Sequence, residues 1–236
     1  MSTNALDPLS RTPIPFWASR SSTSGSYQPL AAITQPGNIG VARAAKKEGV
    51  RPVTLAKGPD GKIGIAPVAI DNGIFVGFVW KDSAAAMAGI RFGDQLLSIN
   101  GESVSGWTAK QTIKCLGKQD TNGITLAIRD RPYARPVTFQ KDSANTVGFY
   151  LKKGAVSDIV KDSSAARNGL LTKHNVLEVN GQNVVALSDK DVIAIIQASP
   201  VTVTLTIIPA FVYKHLVTKI GFKKIKEYMD HSIPEM

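Results

Sequence analysis

The chain contains itself twice. Lys81-Asp82-Ser83 returns as Lys161-Asp162-Ser163, and Asn100-Gly101 returns as Asn180-Gly181, each 80 residues later. The segment Thr108–Leu116 has its counterpart in Ser188–Ile196 at the same spacing, and Ile124–Ile128 is matched closely by Val203–Ile207. A period of 80 residues is too long for a solenoid, whose repeats run to about 50 residues. It fits two copies of one small domain, and a chain of 236 residues has room for both. Between them lies Arg131-Pro132-Tyr133-Ala134-Arg135-Pro136, too short and too rich in proline to be floppy. The copies are therefore expected to sit in a restricted geometry.

Within each copy the order of elements is legible. Pro52–Ala56 reads as a strand, and Gly58-Pro59-Asp60-Gly61 as a turn. Lys62–Ala66 follows as a loop feeding a strand. Ile74–Val79 is a further strand, and Ser83 caps a short helix that Gly89 ends. Asp94–Ile99 runs into the hairpin pair Asn100-Gly101, then come the longer helix and a closing strand. In the second copy Val147, Phe149 and Leu151 alternate with Gly148 and Tyr150, as a strand requires. Gly148 admits the close approach of another backbone. A loop entering such a strand aims consecutive N–H groups into one concavity that suits an anion, for example a peptide's terminal carboxylate. The strand beyond it, if unpaired, accepts the peptide as an added strand.

Composition narrows the function classes. The content is 43% hydrophobic and 19% charged, as in a globular protein, and no stretch approaches the roughly 18 apolar residues of a membrane span. Met1-Ser2-Thr3-Asn4-Ala5 lacks the pattern of a secretory signal. The lone Cys115 cannot form an internal disulfide, which points to a reducing compartment. A formal charge of +10 suits an anionic membrane or nucleic acid, or serves only solubility. Aromatics are 7%, and no basic run is interleaved with them as a single-strand platform would be. His174, His215 and His231 show no metal-ligand spacing, and neither a Gly-x-Ser-x-Gly elbow nor a phosphate-binding Gly-Lys-Ser/Thr loop occurs. No enzyme, no cofactor and no metal site is expected.

The run from Ala88-Gly89-Ile90 to Ile99-Asn100-Gly101, and its counterpart from Asn168-Gly169-Leu170 to Val179-Asn180-Gly181, resemble the PDZ domain. The tandem order, the tight linker, Lys161–Leu171 and the ending Met229–Met236 resemble the syntenin family of tandem PDZ scaffolds. The implied fold is mainly β with short helices: two PDZ domains, each a small, partly open antiparallel sandwich or barrel capped by two helices. The expected divisions are a disordered arm over 1–50, a first PDZ domain over 51–131, a linker over 132–136, a second PDZ domain over 137–210 and a basic tail over 211–236. Phe211–Asp230 reads as a basic helix, packed on the second domain rather than lying free at a membrane surface.

The resemblance implies a scaffold for the C-terminal tails of membrane proteins, of syndecan and tetraspanin type, in receptor trafficking, adhesion and vesicle release. Its setting would be cytoplasmic, peripheral at plasma membrane and endosomes. In the second copy it assigns the carboxylate to the N–H groups of Val147, Gly148 and Phe149. It assigns the last side chain to a pocket of Val147, Phe149, Leu151, Ile193 and Ile196, and a hydrogen bond from the third-from-last residue to Asp189. In the first copy it assigns Ile63, Gly64 and Ile65, with Ala109, Ile113 and Leu116 on the helix. Each of these apolar residues equally suits an ordinary core, and Asp189 equally suits a helix N-terminus. Pro67 stands where Leu151 stands in the other copy and has no N–H, so the first groove is expected to be the weaker. Phosphoinositide binding is implied at or beside Lys57, Lys62, Lys141, Lys152 and Lys153, while Ser188 replaces a lysine the family can carry there. The ending Ile233-Pro234-Glu235-Met236 has the form of a ligand, which makes a homodimer possible. The rival readings are a nucleic-acid binder, for which nothing beyond charge argues, and a regulatory subunit of a protease.

Overall fold

The computed structural model describes residues 49–233. The arm over 1–48 and Pro234–Met236, with the self-ligand reading attached to them, lie outside the described residues. The first copy is built from β1 (Val50–Leu55), β2 (Ile65–Ile70), β3 (Gly73–Val79), α1 (Ala84–Met87), β4 (Gln95–Ile99), β5 (Glu102–Ser103), α2 (Ala109–Lys118) and β6 (Ile124–Arg129). The second repeats this order as β7 (Arg135–Gln140), β8 (Phe149–Lys152), β9 (Ala155–Ile159), α3 (Ser164–Arg167), β10 (His174–Val179), β11 (Gln182–Asn183), α4 (Asp189–Ala198) and β12 (Thr202–Pro209). Each copy is one antiparallel sheet, in the order β1-β6-β4-β3-β2 and β7-β12-β10-β9-β8, with β5 on β4 and β11 on β10. The fold class is that expected, two small mainly-β domains with short helices.

Local chemistry explains the punctuation. Asn100-Gly101 and Asn180-Gly181 both take left-handed backbone, as a two-residue hairpin turn demands. Thr108 and Ser188, which read as the first helical residues, are instead the caps. Their side-chain oxygens accept from Gln111 N and Asp191 N, and Gln111 completes a capping box. The loop read as feeding a strand over Lys62–Ala66 becomes strand at Ile65, because Gly61 and Gly64 have positive φ and hold 61–64 as a loop.

Each copy has its own apolar core, the first centred on residues such as Ile74, Leu96, Ile124 and Leu126, the second on Phe139, Val176, Ile196 and Leu205. A third core lies between the copies. Residues 211–230, read as a basic helix on the second domain, form two helices, α5 (Ala210–Ile220) and α6 (Phe222–Tyr228). Val212, Leu216, Val217, Ile225 and Met229 from this segment pack with Val68, Phe75 and Phe78 of the first copy and Leu177, Val185 and Ile208 of the second. Gly77 is needed here, since a Cβ would lie 2.6 Å from Val68 Cγ2 and 3.0 Å from Ile220 Cγ1. Beyond α6, Asp230 N donates to Val79 O and Lys81 N to Tyr228 O, so the chain end runs beside β3.

Polar contacts lock the same interface. Glu178, buried in β10, accepts from Arg91 Nη1 of the first copy at 2.8 Å and from Arg131 Nη1 of the linker at 2.5 Å. The Thr206 hydroxyl donates to it as well, at 2.8 Å. Arg131 N also donates to Asp94 Oδ1. Burial works against the Arg131 charge, but Glu178 and Asp94 outweigh it and hold its pKa above the ordinary value. Burial pushes the Asp94 carboxyl up to about 7, against the pull of Arg131, the Arg91 N–H and Arg51. The restricted geometry expected of the linker thus has a cause: a shared core with charges buried across it.

Candidate peptide-binding grooves

β2 and β8 are edge strands, and among the described residues nothing pairs with their outer sides. Which backbone groups face outward follows from the pairing. Gly64 O accepts from Trp80 N, and Gly148 O from Val160 N. Alternation along an antiparallel ladder then turns the N–H and C=O of Ile65, Pro67 and Ala69 outward, and likewise those of Phe149 and Leu151. The bulges in the two copies coincide, between Ala66 and Pro67 and between Tyr150 and Leu151. Pro67 therefore does occupy the place of Leu151. On an outer edge a proline disturbs no ladder bond of its own sheet. What it removes is one donor for an incoming strand.

The entrance of each groove is shaped by a glycine. Gly64 has φ +90 and Gly148 φ +71, backbone that L residues rarely adopt. A Cβ would fall 2.1 Å from Ser83 Cβ at the first and 2.3 Å from Ser163 Cβ at the second. The close approach read at Gly148 is thus made by a serine side chain, the cap of the following short helix, rather than by another backbone. Each serine also donates weakly back to the glycine carbonyl, at 3.5 and 3.3 Å. This ties each loop to the helix cap.

The apolar residues assigned to the grooves lie in or against the two domain cores. Phe149 and Ile196 are buried in the second core, and Val147, Leu151 and Ile193 are half-buried against it. In the first copy Ile63 and Leu116 are buried and Ile65 is half-buried. Ala109 is half-buried, while Ile113 is 56% exposed on α2.

Three assigned residues are engaged elsewhere. Asp189 is not a free acceptor: its two carboxylate oxygens take Lys153 N at 2.8 Å and Gly154 N at 2.6 Å. Lys153 and Gly154 both have positive φ, which points successive N–H groups the same way and makes a nest for an anion. Asp189 thus ties α4 to the β8–β9 turn. Lys141 is buried, and its ammonium donates to the carbonyls of Ile196, Gln197 and Ser199 at the end of α4. Lys57 does the same for Gly117 and Gln119 at the end of α2. Cations belong at helix C-termini, where free carbonyls and the dipole converge. These two lysines are helix caps and not surface charge, whereas Lys62, Lys152 and Lys153 are exposed.

A half-buried α-helix beside an open strand edge, entered through a left-handed glycine loop and present twice, is the geometry of a terminal-peptide groove. Residues 46–129 and 136–208 match the PDZ domain family. The chain is 49% identical over 207 residues to syntenin-1 of Homo sapiens, covering 88% of this chain and 70% of that protein. It is 45% identical over 213 residues to syntenin-2 of Rattus norvegicus, covering 90% and 72%. The chain belongs to the syntenin family of tandem PDZ proteins. Among solved structures, the Dlg1 PDZ2 of the choanoflagellate Monosiga brevicollis is similar at 26% identity and a TM-score of 0.31, covering 34% of this chain and 98% of that one. As a syntenin-family protein the chain is a peptide-binding scaffold built on two PDZ grooves. Among the described residues no group of His, Cys, Asp and Glu could hold a metal ion, and no helix is long and apolar enough to cross a membrane.

Proposed function

We propose that this chain is a non-catalytic adaptor that gathers the C-terminal tails of membrane proteins, of syndecan and tetraspanin type, beside an anionic membrane surface. The observation that carries the reading is the pair of unpaired strand edges, each entered through a glycine loop and walled by a helix. Backbone pairing supplies affinity in such a groove, and the pocket for the last side chain supplies selectivity. Single grooves of this size bind in the range of micromolar to tens of micromolar, about −6 to −8 kcal/mol. The shared core between the copies supports a bivalent role: two grooves at fixed separation engage clustered tails with a gain in effective concentration. Exposed Lys62, Lys152 and Lys153 support attraction to phosphoinositide headgroups, and with it a place in trafficking, adhesion and vesicle release at plasma membrane and endosomes.

The test is a screen of free and C-terminally amidated tail peptides against the whole chain. Binding of the free acids and loss of binding on amidation is the expected result. Binding that ignores the terminal carboxylate, or that falls steeply with salt and extends to nucleic acid, refutes the reading.

A further inference from the structure

The C-terminal helix reaches the groove of the first copy. His215 projects from the exposed side of α5, and its Nε2 lies 3.2 Å from Ala69 O. A carbonyl only accepts, so Nε2 carries the proton; this holds for one neutral tautomer and for the imidazolium alike. Ala69 is one of the residues whose backbone groups face the free edge of β2, two residues beyond Pro67 and four beyond Ile65.

An added antiparallel strand uses that edge at every second residue. With its carboxylate at the Gly64 loop, a tail pairs its last residue with Ile65, its third-from-last with Pro67 and its fifth-from-last with Ala69. The first pairing is intact. The second keeps only the bond to Pro67 O, since proline has no N–H. The third keeps the Ala69 N–H but loses Ala69 O as an acceptor, since the imidazole stands in the place of the incoming N–H. In the second copy β8 ends at Lys152, and the position matching Ala69, Lys153, lies in the turn, where its N–H donates to Asp189 Oδ2 and its carbonyl accepts from Asn175 Nδ2 at 3.4 Å.

We propose that His215 sets the reach of the first groove: by holding Ala69 O it confines main-chain recognition to about the last three residues of a tail. His215 is then a specificity-determining residue contributed from outside the domain it controls. The inference rests on the first groove binding peptide termini at all.

The test follows the Gly64 and Ile65 amide signals of the full isotopically labelled chain, which report on the first groove without disabling the second. Two free-acid tails share their last three residues, one stopping there with a blocked N-terminus and one extending to six. In the natural chain the two are expected to bind the first groove with dissociation constants within about twofold. In His215→Ala the longer tail is expected to gain about three- to tenfold over the shorter, the scale of one restored backbone bond, while His215→Gln, which keeps a donor, gains less. A longer tail that is already favoured in the natural chain overturns the proposal, and so does a His215→Ala chain that shows no length dependence. If neither tail moves the Gly64 and Ile65 signals in any of the three proteins, the peptide reading of this groove fails and takes the proposal with it. His215 is exposed, so loss of the fold is not expected; a thermal midpoint that drops sharply in His215→Ala would assign the contact to stability instead.

Discussion

Replacing Glu178 with alanine is expected to destabilise the first copy, although Glu178 belongs to the second. Its carboxylate is buried in β10 and joins Arg91 Nη1 and Arg131 Nη1 across the boundary. Arg131 is only 2% exposed, so the substitution leaves a buried guanidinium without its main counter-charge. Breaking a buried pair from one side costs about 3–5 kcal/mol, more than the net worth of the pair, because the remaining charge stays desolvated. With a urea m-value of about 2–3 kcal/mol/M for a unit of this size, the midpoint should fall by roughly 1–2.5 M. Tryptophan fluorescence reads the effect in the right place. Trp80 and Trp107 lie in the first copy, Trp17 precedes the described residues, and the second copy contains none. Circular dichroism of the whole chain provides the second probe. The fluorescence and dichroism transitions should coincide in the natural chain and shift together in Glu178→Ala. Removing the stranded charge as well, with Arg131→Met, should recover part of the loss. If the fluorescence transition stays in place while dichroism alone moves, the two copies are not one cooperative unit and the reasoning is wrong.

Other expectations follow from single contacts. Valine at Gly148 should leave a monovalent tail only the weaker first groove, whereas valine at Gly64 should spare the stronger one. Leu151 keeps the N–H that Pro67 lacks, a difference of about 0.5–1.5 kcal/mol, or roughly two- to thirteenfold in affinity by calorimetric titration. The opposite ranking refutes this order of the grooves. Asp94 should make the fold lose stability as pH rises from about 4 to about 7. Its carboxyl keeps a proton up to about 7 in the folded chain and releases it near 4 when unfolded, so the stability it adds is complete below the lower value and lost as pH rises through the higher. Thermal midpoints between pH 5 and 8 should decline in the natural chain and flatten in Asp94→Asn. Reversing Lys62, Lys152 and Lys153 to glutamate should release the chain from phosphoinositide liposomes by up to about 1 kcal/mol per residue, an effect that salt weakens. Lys141→Glu should instead lower the thermal midpoint by exposing the end of α4, and an unchanged midpoint would deny its capping role.

The sequence alone determined what is local. An 80-residue self-similarity declared two domains, Asn-Gly pairs placed the hairpins, and serine and threonine placed the helix starts. Gly64 and Gly148 marked the left-handed loops that enter the two edge strands, because φ beyond +60 is chemistry that glycine carries in its own backbone. Pro67 could be read as a missing donor for the same reason. What only the tertiary structure decided is which surface meets which. Phe149-Tyr150-Leu151-Lys152 alternates, with Tyr150 63% exposed, whereas Ile65–Ile70 and Gly73–Val79 are apolar on both faces. That contrast was the visible trace of the third core, but an apolar face shows that something covers it without saying what. Lys57, Lys141 and Asp189 carried charges suited to a ligand and were taken by helix ends and a nest of N–H groups, partners set by how loops fold back. Glu178 meets Arg131 from 47 residues away for the same reason. A pattern of side chains encodes the face a segment must bury. The partner is chosen by the shape and charge of two finished surfaces, and these exist only once both copies have folded.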